Sequence, residues 1–266
     1  MRLISLASGT LPEFDPVTVI ESAAAGGFSG CGVWYEAKTW SAATSAAVRA
    51  AFERTGLRPL EMEVLVLGEP ERADNALALL DAAAEVGIND VLVVSRDSDP
   101  GRNLEAFAQL ADEAEARSLY LNLEFLPIFG IRDLPAALAV IDGVGSDNLK
   151  LLIDTLHVAR TGLDIGDIAR LPADCFRFAQ FCDAWQTPPH DGSFEALYDE
   201  ALNGRLLPGE GDLPLADILA VLPSGLPLSV ELRSRQLRAA YPDPVARART
   251  VYESTSAWLE DPNQHG

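Results

Sequence analysis

Cysteine, histidine and positive charge are all scarce in this chain of 266 residues, which has three Cys and three His. The cysteines, Cys31, Cys175 and Cys182, show no CxxC spacing. An odd and sparse set of this kind excludes a disulfide framework and favours buried thiols in a reducing compartment. The N-terminal apolar run, MRLISLASGT, is too short to be the hydrophobic region of a signal peptide, so we expect a cytoplasmic protein.

Basic residues are half as frequent as acidic ones. Twenty Lys and Arg stand against forty Asp and Glu, which gives a formal net charge of −20 and a pI of about 4.4. Nucleic acids and anionic membrane surfaces bind basic protein surfaces, so we expect neither as a partner. No apolar run approaches the roughly 20 residues of a transmembrane helix. The expected partner is a small-molecule substrate, with a homo-oligomer as an open alternative to a monomer.

Strand-like and helix-like patterns alternate along the whole chain. The eight apolar, strand-like runs cover residues 3–8, 29–35, 60–67, 90–95, 119–125, 149–154, 176–184 and 226–232. The helical patterns between them cover about 16–26, 41–55, 71–86, 102–117, 134–142, 164–171, 194–203, 214–221 and 243–260. Eight strands that alternate with helices predict an α/β fold, a single (β/α)8 TIM barrel over residues 1–266.

A doubly wound open sheet is the competing fold. Such a sheet usually has a Gly-rich turn after its first strand, where it binds a dinucleotide. The corresponding segment, SLASGTLPEF, contains no G-x-G-x-x-G motif. We therefore prefer the barrel.

Four successive strand-like runs each carry, near the C-terminal end, a side chain whose oxygen could bind a cation. These residues are Glu124, Asp154, Gln180 and Glu231. A polar group in an apolar strand is costly unless something compensates it, and catalytic groups of barrels lie at the C-terminal strand ends. Three carboxylates and one amide oxygen suit a hard divalent ion, Mn²⁺ or Mg²⁺. Any one of them alone could instead be structural, for example a glutamate paired with Arg233 or Arg177.

Four further residues are candidates for substrate contact. His157 follows the strand-six carboxylate by three residues, where an imidazole could bind a substrate oxygen or move a proton. Arg205 lies in a predicted exposed loop before a Pro-Gly turn, and it would suit a carboxylate, a phosphate or a polyol oxygen. Trp34 ends strand two and Trp185 follows strand seven, where aromatic rings could wall a sugar-sized pocket.

Several of these residues together resemble a known family. The pattern is E at strand five, D-x-x-H at strand six, Q-x-x-D at strand seven, G-R-x-x-P-G-x-G in the next loop and E at strand eight. It resembles the xylose isomerase-like TIM barrel superfamily over essentially the whole chain. The resemblance implies metal ligation by Glu124, Asp154, Gln180 and Glu231, acid/base roles for Glu124 and Glu231, and substrate contacts for His157 and Arg205. Gln180 stands at the position where ketose 3-epimerases usually have His. A Gln at this position resembles hydroxypyruvate isomerase and some dehydroshikimate dehydratases.

The resemblance implies two alternative functions, and a third from a different class stays open. The first is a metal-dependent isomerase or epimerase of a keto sugar or hydroxy-keto acid, which would act through a metal-stabilised enediolate. The second is a dehydratase of a cyclic keto-polyol such as 3-dehydroshikimate or inosose, which shares the first half of that reaction. The third is a noncatalytic barrel subunit. The ligand set by itself does not separate the first two.

Overall fold

The computed structural model describes residues 2–69, 75–189 and 192–261. It is a closed barrel of eight parallel strands, in which consecutive strands pair and β8 pairs with β1. The strands are β1 (Ile4–Leu6), β2 (Gly30–Trp34), β3 (Arg58–Leu67), β4 (Asp90–Ser95), β5 (Tyr120–Glu124), β6 (Leu149–Asp154), β7 (Ala179–Phe181) and β8 (Leu228–Val230). The predicted (β/α)8 TIM barrel is confirmed.

In the described part of the chain the strands alternate with helices. The α-helices are α1 (Pro16–Gly26), α2 (Ala42–Thr55), α3 (Ala76–Val86), α4 (Pro100–Glu115), α5 (Leu134–Val144), α6 (Thr155–Thr161), α7 (Ile165–Ile168), α8 (Phe194–Asn203), α9 (Leu215–Val221), α10 (Arg235–Ala240) and α11 (Pro244–Glu260). The sequence patterns do not predict the short helices α6 and α10. The first residues of the third predicted helix, 71–74, lie outside the described residues, as does His190 in the loop after β7.

Three helices begin with the same Asp-Pro pair. Asp15, Asp99 and Asp243 are N-caps, and each is followed by a proline at the first helical position. The Asp15 carboxylate accepts hydrogen bonds from the N–H groups of Val17 and Thr18 at 3.0 and 3.1 Å. Proline has no N–H that would need such a partner at this position. These helix starts are therefore defined by residues adjacent in sequence.

Alternate residues of the strands pack on opposite sides of the barrel wall. In β4, Leu92 and Val94 belong to a small apolar cluster inside the barrel, and the valines next to them belong to the larger core beneath the helices. The inner cluster also contains Leu152 of β6. Side chains two residues apart on a strand point the same way, so Asp154 also points into the barrel. The polar strand ends thus lie above an apolar interior.

The cysteines differ in burial. Cys31 and Cys182 are buried, as expected, and burial raises the pKa of the Cys182 thiol to about 12. Cys175 is only partly buried, because it lies in a 3-10 turn before β7 and not in the strand itself. The prediction of a buried thiol is therefore wrong for Cys175. Among the described residues, no helix has the length and apolar composition that a membrane span needs.

Gly130 allows two loops at the C-terminal end of the barrel to pack closely. Its N–H donates to the carbonyl oxygen of Ser95 at 2.9 Å, which joins the loop after β5 to the end of β4. A Cβ atom on Gly130 would lie only 1.9 Å from the backbone oxygen of Asp97. No side-chain movement can relieve a clash with a backbone atom, so this position requires glycine.

Gly130→Ala should therefore lower the free energy of unfolding by about 1–3 kcal/mol, the usual cost of overpacking. Equilibrium unfolding in urea would measure the change. Gly101→Ala is the matched control, because its Cβ would come no closer than 3.3 Å to the nearest atom, Asp99 Oδ1. Equal free energies of unfolding for the two variants would show that the close approach at Gly130 does not affect stability.

Candidate active site

The four predicted ligands lie together at the C-terminal end of the barrel. Glu124 and Asp154 are the last residues of β5 and β6, Gln180 lies within β7, and Glu231 follows β8 directly. Asp154 pairs with Gln180 in the strand register. All four are buried, with at most 7% of any residue exposed. The fold therefore brings together the residues that the sequence pattern singles out.

A cavity of about 320 Å³ opens at this end, and we call it the barrel-mouth cavity. Its polar side is formed by β5 to β8 and the loops after them, with the residues Glu124, His157, Gln180, Arg205, Glu231 and Arg233. The other side is mostly apolar and comes from β3 to β5 and their loops, with Val66, Val94, Leu126, Ile128 and Phe129. A ligand would thus meet charged groups on one side and hydrocarbon on the other.

Arg205 lies at the centre of the polar side. The prediction of an exposed loop position is wrong for Arg205, because only 2% of the residue is accessible. Its Nη1 lies 2.7 Å from Asp154 Oδ2, and its Nη2 lies 2.9 Å from Glu231 Oε2. A buried guanidinium is tolerated where carboxylates pair with it. Arg205 therefore joins the ends of β6 and β8.

Asp154 both pairs with Arg205 and begins helix α6. Its Oδ1 accepts hydrogen bonds from the N–H groups of Leu156 and His157 at 2.7 and 3.2 Å. Burial alone would raise the pKa of Asp154, but the Arg205 charge and these hydrogen bonds hold it below its usual value. The carboxylate therefore stays ionised. The D-x-x-H spacing has a structural meaning, since the strand-end acid is also the N-cap of the His157 helix.

His157 is buried against Glu124, with 3.6 Å between its Nε2 and Glu124 Oε1. Burial lowers the pKa of His157 to about 4, although the Asp154 charge opposes that effect. The imidazole is therefore neutral at neutral pH, and its Nδ1 is buried without a hydrogen-bond partner. A neutral ring with a free nitrogen can bind a substrate hydroxyl or a cation.

Glu124 has the opposite electrostatic environment from Asp154. Burial and the charges of Asp154 and Glu231 raise its pKa well above the usual value, and the more distant Arg205 offsets this only in part. This environment therefore favours the protonated form of Glu124 in the metal-free protein. A divalent cation at this position would favour its ionised form.

The environment of the Gln180 amide indicates whether these residues fit a metal ion. Its Oε1 and Nε2 are both buried and have no hydrogen-bond partner within residues 2–69, 75–189 and 192–261. Ligand atoms of Glu124, Asp154 and His157 lie within 4.8 Å of one another. A buried amide without a partner beside converging carboxylates is costly unless something binds it. Hard oxygen donors of this kind fit a divalent cation. The geometry also makes His157 a candidate ligand, although it is not in the predicted ligand set.

Three charged residues of the cavity, Glu63, Arg96 and Arg233, are not among the predicted site residues. Glu63 lies within β3, where the same search for polar groups in apolar strands could have found it, although it is not at the strand end. Arg233 follows β8, and its Nε donates to Glu231 Oε1 at 3.1 Å. The Arg233 guanidinium carbon lies 4.9 Å from the Trp34 ring centre. The structural alternative stated for a buried glutamate, pairing with Arg233, thus corresponds to the contact between Arg233 and Glu231.

The two candidate tryptophans end up in different places. Trp34 lines the barrel-mouth cavity, and its contact with a substrate stays a prediction. Trp185 is 60% exposed and is not among the residues that line the cavity. Its carbonyl oxygen accepts a hydrogen bond from Arg160 of helix α6. Its place after β7 therefore does not bring the ring to the site.

Asp183 holds the loop that carries Arg205. Its Oδ2 accepts from the N–H groups of Gly209 and Gly211 at 2.9 and 3.0 Å, and its Oδ1 accepts from Leu213 at 3.2 Å. The backbone of Asp183 also pairs with Leu206. A buried carboxylate with several N–H donors is strongly held. The D of Q-x-x-D and the P-G-x-G segment therefore form one structural unit.

Comparison with known proteins agrees with this architecture. The family model for the xylose isomerase-like TIM barrel matches residues 20–261. The chain belongs to this family. Comparison with curated proteins gives no match. As a member of the xylose isomerase-like family, the chain shares its fold with many solved structures.

Three of these structures are informative. One is a xylose isomerase-like TIM barrel/4-hydroxyphenylpyruvate dioxygenase fusion protein, with 21% identity and a TM-score of 0.81; the match covers 99% of this chain and 45% of that one. The chain therefore spans less than half of the fusion protein. IolI with a bound zinc atom has 17% identity, coverage of 97% and 98%, and a TM-score of 0.81. L-ribulose 3-epimerase has 17% identity, coverage of 98% and 95%, and a TM-score of 0.72. At these identities the likeness shows the fold alone.

Replacement of Asp183 by asparagine should destabilise the Arg205 loop. An amide keeps one acceptor oxygen and turns an NH₂ group toward backbone N–H donors, so we expect a loss of about 3 kcal/mol in the free energy of unfolding. Urea unfolding would measure it. Asp199→Asn is the control, because this aspartate is exposed on α8. An unchanged stability of Asp183→Asn would show that the loop does not depend on this carboxylate.

The metal-free protein should lose stability as the pH rises from about 5 to about 8. Burial and the neighbouring Glu231 charge raise the pKa of Glu63 to about 8, although Arg233 opposes the shift. The folded chain therefore keeps a proton that the unfolded chain loses near pH 4.3, and stability falls by up to about 1.4 kcal/mol per pH unit. Glu63→Gln cannot titrate and should make this decline shallower in urea unfolding at several pH values. Parallel curves for the variant and the parent would contradict the assignment.

Proposed function

We propose that this chain is a divalent-metal-dependent isomerase or epimerase of a small polyhydroxylated carbonyl compound, either a keto sugar or a hydroxy-keto acid. The observation that carries the proposal is Gln180, a buried amide without a hydrogen-bond partner among the described residues. It is opposite Asp154 in the strand register and lines the same cavity as Glu124 and Glu231. Structural relatives that include an L-ribulose 3-epimerase and a zinc-containing IolI protein support it.

The proposed metal ligands are Glu124, Asp154, Gln180 and Glu231, with His157 close enough to take part. Oxygen ligands favour Mn²⁺ or Mg²⁺, and a histidine nitrogen would be compatible with Mn²⁺ or zinc. Such an ion would polarise a carbonyl group and make the neighbouring C–H bond more acidic. This is the chemistry that proton transfer beside a carbonyl requires.

The protein side chains would supply the proton transfers. Glu124 and Glu231 are the two carboxyl groups that line the barrel-mouth cavity beside the amide, so one would take the α-proton and the other, or the same group, would return it. His157, neutral at neutral pH, would hold a substrate oxygen. Arg205 uses Nε, Nη1 and one N–H of Nη2 for protein contacts. Its remaining Nη2 N–H could donate to a substrate oxygen.

A dehydratase is the second candidate, and Glu63 is the observation that favours it. Dehydration needs an acid near the departing hydroxyl group. With a pKa of about 4, His157 is a poor proton donor at neutral pH. Glu63 lines the same cavity and keeps its proton up to about pH 8. Enone absorbance with a cyclic keto-polyol would favour this reaction over isomerisation. A noncatalytic barrel would not need buried carboxyl and amide groups that converge in this way.

Glu124→Gln and Glu231→Gln should each reduce α-proton exchange by about a hundredfold to ten-thousandfold, because glutamine cannot carry the proton. Proton NMR in D₂O, with Mg²⁺-loaded protein and a panel of hydroxy ketones, would measure exchange at the α-carbon. Isothermal titration would follow Mn²⁺ binding in parallel.

Glu53→Gln, on the exposed side of α2, is the matched control and should keep full exchange. The assignment would be overturned if Glu231→Gln retained full exchange while it still bound the metal. A parent protein that binds neither Mn²⁺ nor Mg²⁺ would contradict the proposed function itself.

A further inference from the structure

Part of the Arg233 guanidinium makes no hydrogen bond to the described residues. Its Nε donates to Glu231, and its plane lies over the Trp34 ring. Among the described residues, no hydrogen bond joins its two Nη atoms to a protein acceptor. Glu63, the other carboxyl group near it, has a buried Oε1 that is also without a partner. The outer edge of the guanidinium is thus available to a ligand.

The position of this guanidinium is fixed on several sides. Trp34 supports one face, and Glu231 holds the Nε edge. A Cβ atom on Gly9 would lie 2.7 Å from Arg233 Nε, so the chain after β1 passes close to the group. Only 15% of the Arg233 side chain is exposed. An arginine held in this way has already lost most of the freedom that binding would cost.

Arg233 also stands where two cavities meet. It lines the barrel-mouth cavity, and with Trp34 it lines a second cavity of about 420 Å³ between the loops after β1 and β2. A ligand in either cavity can reach it. Because its Nε touches Glu231, a group bound to its Nη atoms would be close to the proposed metal ligands.

The charges around the cavity favour an anion. A bound divalent ion together with Arg205 and Arg233 would carry four positive charges, against three from the ionised carboxylates of the proposed metal set. In the metal-free protein, burial and the Glu231 charge raise the pKa of Glu63 to about 8, so this group is mostly protonated at pH 7. The other arginine of the cavity, Arg96, is paired with Glu69 at 2.5 Å. One positive charge would therefore remain for the substrate to balance.

We propose that the Nη atoms of Arg233 bind an anionic group of the substrate, a carboxylate or a phosphate, next to the hydroxy-carbonyl group that reacts. This inference rests on the proposed function and narrows it. The substrate is then a hydroxy-keto acid or a phosphorylated hydroxy ketone, and a neutral keto sugar is a poor ligand. Planar recognition of an oxyanion by two N–H donors is a property of arginine that lysine lacks.

Three small probes separate these possibilities, because they share a hydroxymethyl ketone and differ at one end. Hydroxypyruvate carries a carboxylate, dihydroxyacetone phosphate carries a phosphate, and dihydroxyacetone is neutral. Their dissociation constants for the Mn²⁺-loaded full chain would be measured by isothermal titration. We expect at least one anionic probe to bind tenfold or more tightly than dihydroxyacetone, and the stronger of the two identifies the anion.

Arg233→Met should weaken binding of the preferred anion by about tenfold to a hundredfold and leave dihydroxyacetone within about twofold. Arg233→Lys should recover only part of the loss, because it keeps the charge without the planar donor pair. Arg96→Met is the matched control. Arg96 also lies over an aromatic ring of the cavity, at 4.7 Å from the Phe129 centre, but it is paired with Glu69. This control should leave all three constants close to those of the parent.

The outcomes distinguish this inference from the function on which it rests. Equal binding of neutral and anionic probes, or an equal loss of both in Arg233→Met, would overturn the role of Arg233 while metal binding and α-proton exchange persisted. The same loss in Arg96→Met would also overturn it, because the effect would then be one of general charge. Absence of both metal binding and exchange in the parent would instead contradict the proposed function.

Discussion

The buried guanidinium of Arg205 is the interaction on which the site depends. It joins Asp154 at the end of β6 to Glu231 after β8, and it also contacts Cys182 beside β7. Without it, two carboxylates would face each other in a dry space, where neither partner could offset the cost of burial. Its place depends in turn on Asp183, whose carboxylate binds the backbone of the following Pro-Gly turn. The loop after β7 is therefore part of the site's framework and not only a connection.

Contact with the Arg205 guanidinium distinguishes the carboxyl group of the site whose pKa is lowered from those whose pKa is raised. Asp154 accepts a direct hydrogen bond from it and keeps a low pKa. In the described parts of the chain, no arginine donates a hydrogen bond to Glu124 or Glu63, and burial raises their pKa values. A divalent cation that binds Glu124 must displace its proton, so metal affinity would rise with pH. Glu63 lies outside the proposed ligand set, and its raised pKa favours the protonated form in the metal-free protein. One cavity would thus hold ionised ligands and a neutral acid at the same pH.

The predictable part of the structure is the part that depends on neighbours in sequence. The eight strands, the helix that Asp15 caps and the four polar strand ends all follow from patterns a few residues long. Arg205 could not be placed in this way, since its partner Asp154 lies 51 residues earlier and only the closed barrel brings them together. Trp185 could not be placed either, because a position after a strand does not determine where the ring points. Glu63 has the same signal as the predicted ligands but lies inside its strand, where a search for strand ends does not find it.

In the proposed chemistry, the second half of the reaction depends on which acid the substrate can reach. After the α-proton is removed, a proton returned to carbon by Glu124 or Glu231 completes an isomerisation or epimerisation. A proton delivered to a hydroxyl group by Glu63 would instead expel water. These acids come from β5, from β3 and from the segment after β8, so the orientation of the substrate would determine which of them lies nearest to each of its carbon and hydroxyl groups. An anionic group held by Arg233 would fix that orientation, because the arginine touches Glu231 on one side and lies near Glu63 on the other. The residue that selects the substrate would then also select the product.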